Sequence, residues 1–91
     1  MIAGMNNREQ LLFPTQFALR VMGEDKDSFA RLIFGIVKNH VPELEEDGLK
    51  SRLSSAGRYL SVTITFMAHS REQLDAIYKD LSDEKRVLMV L

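Results

Sequence analysis

A chain of 91 residues has room for one hydrophobic core, since a domain of this size buries only about 60% of the surface its unfolded chain exposes. Hydrophobic residues make up 45% of it and charged residues 27%, which excludes the polar, highly charged class of disordered chains. A net charge of -1 and the lack of cysteine exclude a global positive field for nucleic acid or anionic lipid, disulfide frameworks, thiolate nucleophiles and cysteine-held zinc.

Residues 1–12 carry no hydrophobic period and read as a flexible N-terminal tail, with Leu11, Leu12 and Phe13 as anchors for its end. Met1 to Met5 leads into Asn6, Asn7, Arg8 and Glu9 rather than a signal-peptide core, so the expected compartment is the cytoplasm. The domain is expected over residues 13–91. From Phe17 the side chains alternate, Phe17, Leu19 and Val21 against Ala18, Arg20 and Met22, the period of a half-buried strand, and Gly23 is expected to stop it. Glu24, Asp25, Asp27 and Ser28 then offer N-cap oxygens and first-turn negative charge. Phe29, Leu32, Ile33, Ile36 and Val37 follow at helical spacing, which predicts a helix from about Ser28 to His40, ended by Pro42. Gly35 inside this helix costs up to about 1 kcal/mol against alanine, and close packing of the helix backbone on a strand is the expected compensation.

After the acidic loop from Glu43 to Gly48, Leu49, Ser51 and Leu53 alternate with Lys50, Arg52 and Ser54, as in an edge strand protected by charge. Ser54 to Gly57 make a turn. Tyr59 to Ala68 is the clearest strand, with Leu60, Val62, Ile64 and Phe66 on the core side and Tyr59, Ser61, Thr63, Thr65 and Met67 on the other. Ser70 and Gln73 have capping-box spacing, and Leu74, Ile77, Tyr78 and Leu81 form one face of a second helix. Arg86 to Leu91 is the last predicted strand; its apolar run is far too short to span a membrane.

The order strand, helix, strand, strand, helix, strand predicts an α+β fold of the ferredoxin-like, split β-α-β type. Its antiparallel sheet has four strands in the order 4-1-3-2, with both helices on one face. The predicted core includes Leu19, Val21, Ile33, Val37, Val62, Ile64, Leu74 and Ile77.

No chemistry-bearing constellation stands out. His40 and His69 each lack a second ligand at metal spacing, the carboxylates Glu43, Glu45, Glu46 and Asp47 read as a solvated run, and no serine sits in a nucleophile elbow. No catalytic residue, metal or cofactor is therefore assigned, and the chain is read as a non-enzyme. The open sheet face is the candidate site: Arg20, Lys50, Arg52, Tyr59, Ser61 and Thr63 would lie side by side there, a hydroxyl-rich surface with several cations suited to a small carboxylate or a polar partner. Val87, Met89 and Leu91 form a second candidate, an apolar edge for a homodimer or a protein partner, if Leu88 and Val90 complete the core; the reverse assignment exposes Leu88 and Val90, and either way some apolar area is left uncovered. A nucleic-acid module using Arg20, Arg52, Arg58 and Tyr59 is the alternative. It is weakened because Tyr59 is the one ring on a face whose later positions are Ser61, Thr63 and Thr65.

Phe13-Pro14-Thr15, Val21-Met22-Gly23, Ser54-Ser55-Ala56-Gly57-Arg58-Tyr59-Leu60-Ser61-Val62-Thr63 and Val87-Leu88-Met89-Val90-Leu91 resemble the YbeD-like family of small bacterial proteins of unknown function. The similarity runs from about residue 11 to 91. It implies a ferredoxin-like fold similar to the ACT regulatory domains, which place small effectors in loops at a dimer interface; the turn from Gly23 to Asp27 corresponds to that place. Some members carry a lysine after the paired serines, where this chain has Ala56. The resemblance supplies no catalytic residues.

Overall fold

The computed structural model describes residues 12–91; the expected tail therefore lies, apart from Leu12, outside the described residues. Four strands, β1 (Thr15–Glu24), β2 (Leu49–Leu53), β3 (Tyr59–Ala68) and β4 (Met89–Val90), form one antiparallel sheet in the order β2-β3-β1-β4. Two helices, α1 (Phe29–Lys38) and α2 (Arg71–Asp83), cross between β1 and β2 and between β3 and β4. This is the ferredoxin-like arrangement expected from the element order. No helix among the described residues is long and apolar enough to cross a membrane.

The central pair carries the fold. β1 and β3 are in register over their whole length, from Thr15 opposite Ala68 to Glu24 opposite Tyr59. Strict alternation then sends Leu19 and Val21 from β1, and Leu60, Val62, Ile64 and Phe66 from β3, into the core. Against them lie Phe29, Ile33 and Val37 of α1 and Leu74, Ile77 and Leu81 of α2. Every residue of the predicted core is buried. Val41 and Leu44, from the segment after α1, join them, because Lys38 ties that segment down by donating from Nζ to the carbonyls of Pro42 and Leu44 at 3.1 and 2.7 Å. Phe13 packs partly against the core, whereas Leu12 is exposed.

Several local expectations are corrected. Gly23 does not stop β1; it sits inside the strand opposite Leu60, and its missing side chain makes room for the Phe29 ring. Asp27 and Ser28 are left-handed, with φ of 52° and 57°. In that conformation the Ser28 side chain caps nothing and the first turn of α1 holds no acid; Arg86 instead donates its guanidinium to the carbonyls of Lys26 and Asp27. Gly35 faces solvent, and a methyl group added there would meet nothing within 4 Å, so no strand packs on it. The Ser70 and Gln73 cap forms with one change. Ser70 Oγ accepts from the Gln73 amide at 3.1 Å, but the Gln73 side chain returns to the amide of His69, at 2.7 Å, one residue before the cap.

The last strand departs most from expectation. The Val87 amide donates to the Glu84 carbonyl, which makes residues 84–87 a turn and not extended strand, and pairing begins where the Leu88 amide donates to Met22. Alternation therefore does not run through the segment. Val87 and Val90 both pack against the core, while Leu88, Met89 and Leu91 are exposed. Val87 is thus removed from the candidate edge and Leu88 takes its place.

Candidate functional site

Both helices cover one face of the sheet, and on the other face the register fixes which side chains are neighbours. Arg20 of β1 is opposite Thr63 of β3, and Thr63 is opposite Lys50 of β2. One pleat further on, Met22, Ser61 and Arg52 form the next row, and Glu24 and Tyr59 the one beyond. On β1's other side Met89 is the partner of Met22, and Arg20 and Leu91 exchange backbone hydrogen bonds of 3.2 and 2.7 Å.

These rows surround a shallow concavity of about 390 Å³ lined by Arg20, Lys50, Ser51, Arg52, Ser61 and Thr63. Five of the six residues picked out for this face in the sequence are thus brought together. The sixth, Tyr59, lies in an adjoining depression of about 300 Å³ with Met22, Arg52, Leu53, Ser54, Ser55 and Ser61. Its ring is already in contact with the Arg58 guanidinium, 5.6 Å from the ring centre. The sequence reading missed Ser51. By alternation it belongs to the core side, opposite Val62, but β2 is an edge strand whose positions beyond Leu49 are all exposed. The edge position, already legible in the sequence, was the signal that could have found it.

Electrostatically the concavity is one-sided. Three cations and three hydroxyls line it with no carboxylate, and among the described residues Arg20, Lys50 and Arg52 have no ion pair. Guanidinium and ammonium groups beside hydroxyl donors are matched to an oxyanion, which accepts charge-assisted hydrogen bonds from all of them.

The histidines lie on the helical side. His40 Nε2 is 2.6 Å from Asp80 Oδ2, and His69 Nε2 is 2.7 Å from Glu43 Oε2. Sequence spacing assigned neither histidine a carboxylate, because both partners come from distant segments that only the fold brings close. The His69 hydrogen bond is the chief cause holding the Glu43 carboxyl below its ordinary pKa. Gln73 joins the two pairs, donating to the His40 carbonyl at 2.8 Å while accepting from the His69 amide. Among the described residues no group of three or more histidine, aspartate or glutamate side chains could hold a metal ion.

Residues 8–91 match the family described as "Protein of unknown function (DUF493)". A UPF0250 protein of Janthinobacterium is 46% identical over 79 residues, covering 87% of each chain. A UPF0250 protein of Chromobacterium violaceum is 43% identical over 89 residues, covering 96% of this chain and all of the relative. Among solved structures, protein HP0495 from H. pylori superimposes with a TM-score of 0.72 at 14% identity, over 90% of this chain and 86% of the other. The ACT domain from GTP pyrophosphokinase of Chlorobium tepidum does so with a TM-score of 0.56 at 18% identity, over 85% and 97%. At those identities the likeness is one of fold, and the family description names no catalytic activity. The register of the sheet, the motifs on β1 and β3 and the match across nearly the whole chain agree: this chain belongs to the UPF0250, or YbeD-like, family of bacterial proteins of unknown function, with a ferredoxin-like fold shared with an ACT domain.

Proposed function

We propose that the domain is a non-catalytic regulatory or adaptor module whose open sheet face binds a carboxylate, presented by a small metabolite or by a protein partner. The observation that carries this reading is the gathering of Arg20, Lys50 and Arg52, from two adjacent rows, around one concavity that also offers the hydroxyls of Ser51, Ser61 and Thr63 and has no carboxylate in its lining. A surface built only to be soluble gains from mixing both signs of charge; gathering one sign around a concave, hydroxyl-lined spot favours an anionic ligand. The likeness to an ACT domain is compatible with a binding role. Nucleic acid is the weaker occupant, because successive bases stack on several rings and the open face carries one, Tyr59, followed along its strand by Ser61, Thr63 and Thr65.

An amide NMR titration with malonate tests the reading. Saturable shifts centred on Arg20, Ser51, Ser61 and Thr63, lost in Arg20→Gln, are expected. Their absence counts against it, and preferential binding of a single-stranded oligonucleotide with a steep loss of affinity in salt supports the nucleic-acid alternative.

A second reading concerns β4 as an edge for self-association. Leu88, Met89 and Leu91 are 62%, 50% and 57% exposed, beside a strand edge that lacks lysine and proline, and antiparallel pairing of two identical edges satisfies both copies at once. Met89→Lys is expected to lower the mass of such a dimer to that of a single chain in sedimentation; a wild-type protein already monomeric at high concentration removes this reading.

A further inference from the structure

The concavity around Arg20 and the depression around Tyr59 are not separate. Both are lined by Arg52 and Ser61, so the open face carries one trough that runs along the strands. Its character changes along its length. At one end stand Arg20, Lys50 and Thr63; two residues on, the row is Met22, Ser61 and Arg52; beyond it come Glu24 and Tyr59, with Leu53 reaching the depression from the exposed edge strand β2. Successive rows on one face are two residues apart, about 7 Å, so the span from the Thr63 row to the Tyr59 row is about 13 Å. Of the lining cations, Arg20 and Lys50 stand in the first row and Arg52 in the second; the second depression adds a thioether, a leucine and a phenol ring, closed at the far end by Ser54 and Ser55, while Arg58 and Glu24, which flank the ring, do not line it. Met89, exposed beside Met22, widens the apolar side.

We infer that the ligand of this face is a small carboxylate carrying a compact apolar group. Its carboxylate lies among Arg20, Lys50 and Arg52, and its apolar part lies over Met22, Leu53 and Tyr59. The inference rests on the carboxylate reading of the open face and narrows it to a chemical class. Charge complementarity fixes which end of the ligand goes where. Beyond Arg52 the row at Tyr59 holds Glu24, ion-paired to Lys26 and Arg58, so a polyanion would meet a carboxylate there instead of a free cation, which argues against one. Methionine suits the apolar end because its unbranched thioether adapts to rings and alkyl chains alike.

Three probes, acetate, 3-phenylpropanoate and 3-phenylpropanol, separate the contributions of charge and apolar surface in NMR titrations. The acid with the ring is expected to bind about tenfold more tightly than acetate, with shifts reaching Met22, Leu53 and Tyr59, while the alcohol binds far more weakly than the acid. Met22→Ser should remove the preference for the ring. Leu53→Ser, at an exposed edge position, repeats the test where folding is not at stake, and Arg20→Gln should weaken both acids. Equal affinity for acetate and 3-phenylpropanoate, at the expected place, overturns this inference and leaves the carboxylate reading standing. Failure of both acids to bind overturns the two together, and tighter binding of an acidic peptide or an oligonucleotide than of the ring-bearing acid overturns the inference in favour of that partner.

Discussion

The ring of Phe29 stands where any side chain on Gly23 would have to go: a Cβ on Gly23 would fall 2.4 Å from Phe29 Cζ and 2.6 Å from the Arg86 carbonyl oxygen. The first neighbour is a fully buried ring that seats α1 on the sheet, and the second is backbone. Neither yields without moving an element. Gly23→Ala is expected to destabilise the fold by about 1 to 3 kcal/mol, as overpacking of a filled core does. Urea unfolding measures it, and adding Phe29→Leu should recover part of the loss by relieving the ring contact.

Gly35 is the opposite case. It lies in the middle of α1, is exposed, and has nothing within 4 Å of the position of an added methyl. Gly35→Ala therefore gains the helix propensity of alanine with no steric penalty against it. An increase in stability of about 0.5 to 1 kcal/mol is expected, readable as a rise in thermal midpoint.

Ile64 lies between Leu19 of β1 and Leu49 of β2 in register and is fully buried under the helices. Ile64→Ala should cost about 2 to 5 kcal/mol. Thr63→Ala, its neighbour on the open face, should cost much less, so comparing the two by urea unfolding checks which face of β3 is the core.

The fold's acid sensitivity has a component at Glu43. Its carboxyl, hydrogen-bonded by His69, titrates below its ordinary value of 4.5, so the folded state favours the ionised form. The sign follows: the contribution is fully present above the ordinary value and is lost as the pH falls through the lowered value in the fold. Glu43→Gln removes it. Thermal midpoints recorded from neutral to acid pH should fall less steeply for the variant than for the wild type. Both groups of the pair are about half exposed, so the difference should shrink as salt is added.

What was legible in the sequence followed from period, and what was not legible depended on distance. Leu60, Val62, Ile64 and Phe66 alternate without interruption, and all four are buried; the helix stripes at Ile33 and Val37 and at Leu74 and Ile77 were equally plain. Arg20, Lys50 and Arg52 could be placed together on one face because parity within each strand and the strand order together fix which side chains share that face. His40 with Asp80, and Glu43 with His69, could not be read, since no local rule connects a helix end to a carboxylate on another element. The exposure of Ser51 was within reach, since β2 reads as an edge strand, but alternation alone put it on the core side, opposite Val62. Val87 was misplaced for a different reason. Alternation presumes an extended chain, and the hydrogen bond from its amide to Glu84 turns the chain just before β4 begins.

The order β2-β3-β1-β4 has a kinetic meaning. β2 and β3 are joined by the short turn from Ser54 to Arg58 and can close as a hairpin on their own. β1 has no such neighbour: both of its partners, β3 and β4, come later in the chain, after the whole of α1 and β2. The ten-residue ribbon between β1 and β3 therefore requires a long loop to close before any of its pairs is rewarded, and loop closure of that kind sets the pace of folding. During synthesis β1 leaves the ribosome well before its complement, with Phe17, Leu19 and Val21 uncovered. The longest ladder of the finished sheet is thus one that cannot begin to form until β3 has been made.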